Sequence, residues 1–262
     1  MINILFIGDI VGEAGRQVVK ENLAALRDEF DLDLVIANGE NAAHGKGISE
    51  RVYNSLLDYG IDVITMGNHT FSKDAIYRFI DDADNLVRPL NMEPLNIGKT
   101  YKIVDIKGLT LCVYNVLGNV FMSGTATSVF EATNELLKET KADLYFCDFH
   151  GEVTSEKIIY AYLYQNKLQA VMGTHTHVQT ADERLIGNLA FISDAGMCGV
   201  YESVLGRDIE ETIAKVVYQE DTRFTIAKGP AIFCGVITKI DEKAKKAVDI
   251  KRIQIRPYVF GV

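Results

Sequence analysis

Over the first third of the chain, short apolar runs alternate with stretches in which apolar residues return every three or four positions. Residues 4–7 form the first run, closed by Gly8, and predict a strand buried on both faces. After Gly15, the spacing of Val18, Val19, Leu23 and Leu26 predicts an amphipathic helix. A second buried strand is predicted over 34–37. Ser49 stands as the N-cap of a helix whose Val52, Leu56 and Leu57 share a face and which Gly60 closes. A third strand is predicted over 62–66, with Ser72 capping a helix that carries Ala75, Ile76 and Phe79. This β-α-β-α-β-α order calls for a parallel sheet with right-handed crossovers.

The pattern then changes. Residues 102–106 and 109–116 flank Lys107-Gly108 and predict a hairpin. Helices are predicted over 130–138 and near 156–165, and strands over 144–147 and 170–172. The last third reads as largely β, with strands over 224–227, 231–240 and 247–255 and a charged turn at 241–246. The expected fold class is α/β, a four-layer α/β/β/α sandwich with mixed sheets, helices outside and two sheets inside. No Gly/Ser-rich linker or internal repeat interrupts it, so residues 1–262 are expected to form a single domain.

Composition narrows the function classes. With 48% hydrophobic and 24% charged residues, the chain can bury a substantial core. A net charge of −9 argues against a surface that binds nucleic acid or anionic membrane as a whole. It leaves room for a local cationic pocket, whose charge bound divalent ions could supply. Cys112, Cys147, Cys198 and Cys234 form no CxxC pair and sit among apolar or small residues, as reduced structural thiols do. The N-terminal run lacks a basic flank, and no stretch nears the ~18 apolar residues of a membrane span. A cytoplasmic protein without a membrane partner is expected; homo-oligomerisation stays open.

Five polar segments follow predicted strands: Gly8-Asp9, Gly39-Glu40-Asn41, Gly67-Asn68-His69, Asp148-Phe149-His150 and Gly173-Thr174-His175-Thr176-His177. In α/β sheets, ligand sites gather beyond the carboxyl ends of the strands, so these segments can meet in one place. They contain four of the five histidines, and the fifth, His44, lies three residues after Asn41. Carboxylate, amide oxygen and imidazole without cysteine suit a hard or borderline divalent ion: iron, manganese, magnesium or zinc. His175 and His177, two apart, would point the same way on an extended segment. Seven candidate ligands (Asp9, Glu40, Asn41, Asn68, His150, His175 and His177) exceed one four-coordinate site and suit two ions sharing a carboxylate. Two divalent cations against Asp9 and Glu40 leave a positive balance that attracts phosphate and acidifies water.

The set GD…GEN…GNH…H…GTHTH resembles the signature of the calcineurin-like metallophosphoesterases. The longer strings NGENAAHGKGIS, GNHTFS, DFHGEVTSEK, GTHTHVQTADE and SDAGMCGVYESVLG are similar to the YmdB-like branch, whose members are described as 2′,3′-cyclic-nucleotide 2′-phosphodiesterases. The similarity runs from residue 2 to about residue 235. Two departures from the wider class, Val11 in place of a histidine and Gly39-Glu40-Asn41 in place of GDxxD, are shared with that branch. The resemblance implies a metallophosphoesterase-like fold and a binuclear centre. Asp9, Asn41 and His177 would hold one ion and Asn68, His150 and His175 the other, with Glu40 bridging. His69 would be the general acid and a metal-bridging hydroxide the nucleophile.

Blander readings stand beside these. Asp9 can cap the next helix, Glu40-Asn41 can be a polar loop, and Asn68-His69 a turn. His44, in a glycine-flanked loop with Lys46, is either a substrate-phosphate contact or an exposed loop histidine. Asp194 either orients a ligand histidine or sits in an ordinary turn. The leading expectation is a phosphodiesterase acting on a small phosphodiester. The alternatives are a phosphomonoesterase, an RNA nuclease, or a metal-dependent regulatory protein with weak catalysis. RNA is less favoured because the basic candidates Arg184, Arg207 and Arg223 are scattered.

Overall fold

Two twisted sheets lie face to face, with helices on the outer face of each, in a computed structural model that describes residues 1–258. The chain begins β1 (Ile2–Ile7), β2 (Asp9–Ile10), α1 (Gly12–Phe30), β3 (Leu34–Asn38), α2 (Glu50–Asp58), β4 (Val63–Thr65) and β5 (Leu86–Val87). It continues with β6 (Tyr101–Ile106), β7 (Leu109–Leu117), α3 (Val129–Glu139), β8 (Leu144–His150), α4 (Thr154–Tyr164) and β9 (Ala170–Thr174). The last part is β10 (Arg184–Ile186), β11 (Leu189–Ile192), β12 (Met197–Val200), α5 (Ile209–Val216), β13 (Ala231–Asp241) and β14 (Lys246–Ile255).

The first sheet has the order β2-β12-β13-β1-β3-β4-β5, with β14 also on β13. Its β1, β3, β4 and β5 are parallel, and β13 runs against β1. The second has the order β10-β11-β9-β8-β7-β6, parallel from β7 through β11 and antiparallel at both edges. Both sheets are therefore mixed.

Alternation along the strands makes three apolar layers. Leu5, Ile7, Val35, Ala37 and Ile64 face outward under α1 and α2. Their neighbours Ile4, Phe6, Leu34, Ile36 and Val63 face inward against Leu111, Val113, Phe146 and Met172 of the second sheet. Cys112, Tyr114, Cys147 and Val171 face outward against Tyr160 and Tyr164 of α4. The four-layer expectation is met. Local signals account for several helix starts: Ser49 caps α2 by accepting from Val52 N at 3.4 Å, and Ser128 caps α3 through Phe130 N at 3.2 Å. All four cysteines are free and buried, and burial pushes the Cys112 thiol up to about 12.

Two expected elements are absent. Residues 74–78 make only a 3-10 turn, because the Ser72 hydroxyl faces the His69 ring at 3.2 Å instead of capping a helix. Residues 224–227 form no strand; the long β13 nearby already has its edges taken by β1, β14 and β12, and only an isolated bridge joins Ile226 to Arg207.

Candidate metal centre

The carboxyl ends of both sheets' parallel strands converge. Register pairs Ile7 with Ala37 and Asn38 with Thr65 in one sheet, and His150 with Thr174 in the other. Buried Asp148 links the two sheets, accepting from Asn38 Nδ2 at 3.0 Å, Thr65 Oγ1 at 2.5 Å and Thr174 Oγ1 at 2.6 Å. Asp9 sits just past β1, Glu40 and Asn41 past β3, Asn68 and His69 past β4, and His175 and His177 past β9. His150 is the last residue of β8 rather than a residue beyond it. Gly67 has to be glycine: a Cβ there would lie 2.3 Å from Glu40 Oε2 and 2.6 Å from His150 Nε2, inside the cluster.

Each of the three clustered histidines commits one ring nitrogen to a fixed acceptor and turns the other inward. His150 Nδ1 lies 2.9 Å from Thr174 Oγ1, whose own proton goes to Asp148, so the imidazole is the donor. Its Nε2 then faces Asn68 Oδ1 at 2.9 Å, Glu40 Oε1 at 3.2 Å and His175 Nδ1 at 3.1 Å. His175 Nε2 meets Glu152 Oε2 at 3.2 Å, and His177 Nδ1 donates to the Leu205 carbonyl at 3.0 Å. His177 Nε2 is thereby aimed at Asn41, 3.2 Å away, and at Asp9 Oδ1, 3.8 Å away. Held tautomers of this kind are characteristic of metal-ligating histidines.

The carboxylates complete the picture. Asp9 Oδ2 accepts from His175 N at 3.1 Å, while the buried Oδ1 has no hydrogen-bond partner among the described residues. Asp9 does not cap α1, whose N-cap position is Val11 and carries no side-chain bond. Glu40 Oε1 touches both halves of the cluster, 3.1 Å from Asn41 Nδ2 and 3.2 Å from His150 Nε2; Oε2 accepts from His69 N at 2.9 Å. Burial pushes Asp9 up to about 6, the charges of His177 and His150 resisting. Burial would also raise Glu40, but the charge and hydrogen bond of His150 bring it down to about 2. Burial opposes charge on His150 in turn, yet Glu40 and Asp9 raise it to about 9. Burial and the charge of His150 push His175 down to about 3.

This donor set fits divalent cations. An unpartnered buried carboxylate oxygen, an amide oxygen and inward-turned imidazole nitrogens share one hollow, and donor atoms of Glu40, His150 and His175 all lie within 4.8 Å of one another. Asn41 differs in detail, turning its amide nitrogen toward Glu40 and His177; ligation through its oxygen needs a half-turn of the amide. His175 (φ 104°) and His177 (φ 64°) are not on an extended segment as expected. The loop doubles back, so the two rings reach different halves of the cluster. His69 lines the cavity above, its Nδ1 3.2 Å from Ser72 Oγ. Burial lowers its pKa against the pull of Glu40, helped by the nearby charges of Lys46, His150 and Arg207. His44 is exposed and lines an adjoining cavity with Glu13, Gln17 and Ile226; it is not among the residues lining the cavity over the cluster.

One support, Lys157, was not legible in advance. Lys157, fully buried on α4, donates to the Thr174 carbonyl at 2.8 Å and meets Asp194 Oδ2 at 3.4 Å. Asp194 also accepts from Thr176 N and Gly196 N, each at 2.9 Å, so it orients the histidine loop through the backbone. A lysine in a helix reads as surface in sequence. Only the mixed burial of α4, where Lys157 is covered and Ile159 exposed, shows otherwise.

The model of the family described as YmdB-like protein matches residues 5–253. A Bacillus subtilis (strain 168) protein named 2′,3′-cyclic-nucleotide 2′-phosphodiesterase is 44% identical over 256 residues, 97% of each chain. A Mycoplasma pneumoniae crystal structure described as a novel phosphatase superimposes with TM-score 0.93 at 35% identity, covering 97% of this chain and 93% of that one. Haemophilus influenzae NAD nucleotidase shares the fold alone, with TM-score 0.58 at 13% identity over 97% of this chain and 49% of its own.

Proposed function

The chain belongs to the YmdB-like family, and from that premise we propose that it is a two-metal phosphodiesterase acting on small phosphodiesters, foremost 2′,3′-cyclic nucleotides, which it opens to 3′-nucleotides. The observation that carries this reading is the trio of histidines, each anchored by one nitrogen and turned by the other into a hollow with Asp9, Glu40 and Asn68. Asp9, Asn41 and His177 would hold one divalent ion and Asn68, His150 and His175 the other, with Glu40 between them. Iron and manganese suit the set best, and magnesium and zinc are compatible. The named activity of the Bacillus subtilis relative supports the substrate class.

Ions bound there supply positive charge for the phosphoryl oxygens and lower the pKa of water at neutral pH. The chain's own residues orient and transfer protons. His69 is pinned by its backbone N–H on Glu40 and by Nδ1 on Ser72, leaving Nε2 for the cavity its ring lines. A proton held at that Nε2 goes to the departing 2′-oxygen as its bond to phosphorus breaks, the role suited to imidazole. Because the ligands come from strands of both sheets, residues 1–258 work as one catalytic domain.

Metal analysis of the purified protein, paired with hydrolysis of bis-p-nitrophenyl phosphate with and without added manganese, tests the class. The expected result is about two ions per chain and metal-dependent turnover, followed by 3′-AMP as the sole product from 2′,3′-cyclic AMP. No bound metal and no hydrolysis under any divalent ion would overturn the reading. A 2′-AMP product would overturn the assignment of the leaving oxygen.

A further inference from the structure

Above the cluster lies an open cavity of about 560 Å³, within the range of small-ligand sites. Its floor includes Glu40, Asn41, His175 and His177, and its outer wall comes mainly from residues 204–224, none of them a proposed metal ligand. Val178, Val204, Leu205 and Phe224 make an apolar arc there, each between 37% and 56% exposed. Grouped apolar surface left open beside a polar centre marks a binding site more often than chance exposure. Arg207 stands on the same wall. Its Nη2 donates to the Gly45 carbonyl at 2.9 Å, and among the described residues it has no carboxylate partner. On a chain of net charge −9, a guanidinium that shares this cavity with His69 and has no carboxylate partner among the described residues suits an anion from outside.

The turn that carries these groups breaks a local rule. Val204 and Arg207 exchange backbone hydrogen bonds, each 2.9 Å, around Leu205 (φ 53°) and Gly206 (φ 88°). A two-residue turn with both central φ angles positive is ordinarily filled by Asn, Asp or Gly. Leucine at its first position costs about 1 kcal/mol or more in the left-handed region. Turn chemistry does not explain it. A side chain set in the cavity wall does, since the same residue's carbonyl is already fixed by His177 Nδ1. Phe224 is brought to the wall by the stretch that forms no strand, with the Lys215 ammonium 5.0 Å from its ring centroid.

We infer that the 204–207 turn and Phe224 form the substrate-recognition subsite of this centre, with Arg207 clamping the phosphate and the apolar arc seating the nucleobase by its flat face. The inference rests on the phosphodiesterase reading and deepens it. The aliphatic and aromatic side chains of the arc offer no donors or acceptors for a base edge; Thr176 and Thr212 are the hydroxyls that line the cavity with it. The subsite therefore recognises that a base is present more than which base it is, and purine and pyrimidine nucleotides bind within roughly tenfold of each other, as differences of apolar contact alone allow.

Calorimetry on the metal-loaded protein tests this with three probes: adenosine 3′-phosphate, uridine 3′-phosphate and ribose 3-phosphate, which lacks the base. Wild type is expected to bind both nucleotides about tenfold or more tighter than ribose 3-phosphate. Phe224→Ala and Leu205→Gly should erase that advantage, so that nucleotide and ribose phosphate bind alike. Leu205→Gly is the safer variant, because glycine accepts the turn's φ and keeps the carbonyl that holds His177. Arg207→Gln should weaken all three ligands together by about tenfold or more. Equal affinity for nucleotide and ribose phosphate in wild type, binding of neither, or equal loss of both in Leu205→Gly would overturn the subsite. Hydrolysis of bis-p-nitrophenyl phosphate by the same preparations separates the two ideas. Its absence sinks the phosphodiesterase reading, while the base dependence of binding still decides the subsite.

Discussion

Asp194→Asn tests how the histidine loop is held, and its effect can be worked from the structure. Asp194 and Lys157 are both buried to within 1% of complete. The substitution keeps the shape but removes the negative charge, leaving the Lys157 ammonium with the Thr174 carbonyl as its remaining partner. It also replaces one of the two oxygens that receive Thr176 N and Gly196 N by an amide nitrogen, so one N–H loses its acceptor. Removing one partner of a buried pair costs about 3–5 kcal/mol, a figure that already contains much of the lost hydrogen bonding. Exposed pairs such as Lys239–Asp249, at 3.7 Å, are worth at most about 1 kcal/mol and serve as the control.

At roughly 2–4 °C per kcal/mol for a chain of this size, the midpoint of thermal unfolding should fall by about 6–20 °C. Lys157→Met should cost a similar amount, since it strands Asp194 instead. The double variant should cost less than the two singles summed, by about 1–3 kcal/mol, because neither charge is left behind. Thermal and urea unfolding followed by circular dichroism, with chelator present so that metal binding does not contribute, gives all four values. Singles within ~2 °C of wild type, or effects that simply add, would refute the idea that this pair holds the loop.

His69→Ala should lower turnover by roughly 10²–10⁴ with metal content near wild type; loss of metal in that variant would make His69 a ligand. Gly67→Ala places a methyl group 2.3 Å from Glu40 Oε2, so metal content should fall at least as far as in a ligand variant while the circular dichroism spectrum is kept. An unchanged metal content would mean the hollow is not the metal site. Asp143 is held down to about 2 by Lys245 and by Thr110. A carboxylate depressed in the folded state contributes stability above its unfolded pKa and loses it as pH falls through the folded one. Asp143→Asn should therefore lower the unfolding midpoint at pH 7, and the gap to wild type should close between pH ~4 and pH ~2; a gap constant with pH would refute the linkage.

The parts of this fold that are written locally were legible. Buried runs such as 34–37, the Ser49 cap and the Lys107-Gly108 turn each depend on neighbours in sequence, and β3, α2 and the β6–β7 hairpin fall where they are expected. The segments carrying Asp9, Glu40, Asn68, His150 and His175 were legible because each pairs a polar group with the end of an apolar run. What stayed hidden depends on partners far away in the chain. Residues 224–227 have strand-like composition, but whether they join a sheet depends on a free edge, and β13 has none to give them. Ser72 is the local exception, a plausible cap whose hydroxyl goes instead to His69, three residues earlier. Lys157 and Asp194 lie 37 residues apart, and nothing near either one signals the other.

The same distinction explains how an acidic chain keeps Asp9 and Glu40 inside. His175, His177 and Leu205 all have positive φ without being glycine, and His177 Nδ1 bonds the Leu205 carbonyl. Each such residue costs about 1–3 kcal/mol and persists only where the surroundings over-determine it. Here the surroundings are visible: Thr174 O on Lys157, His175 N on Asp9 and Thr176 N on Asp194 fix two consecutive peptide groups, the first at both its ends, from buried side chains. Those bonds use protein groups alone, so the loop is arranged before any ion arrives. A site that must fold around its metal is lost with it; here the strain is held by the scaffold, and an ion bound as proposed would meet ligands already facing inward. Glu40 is answered twice, by the backbone N–H of His69 and by the His150 imidazole, which keeps it ionised; Asp9 is answered by His175 N alone, and burial raises it to about 6.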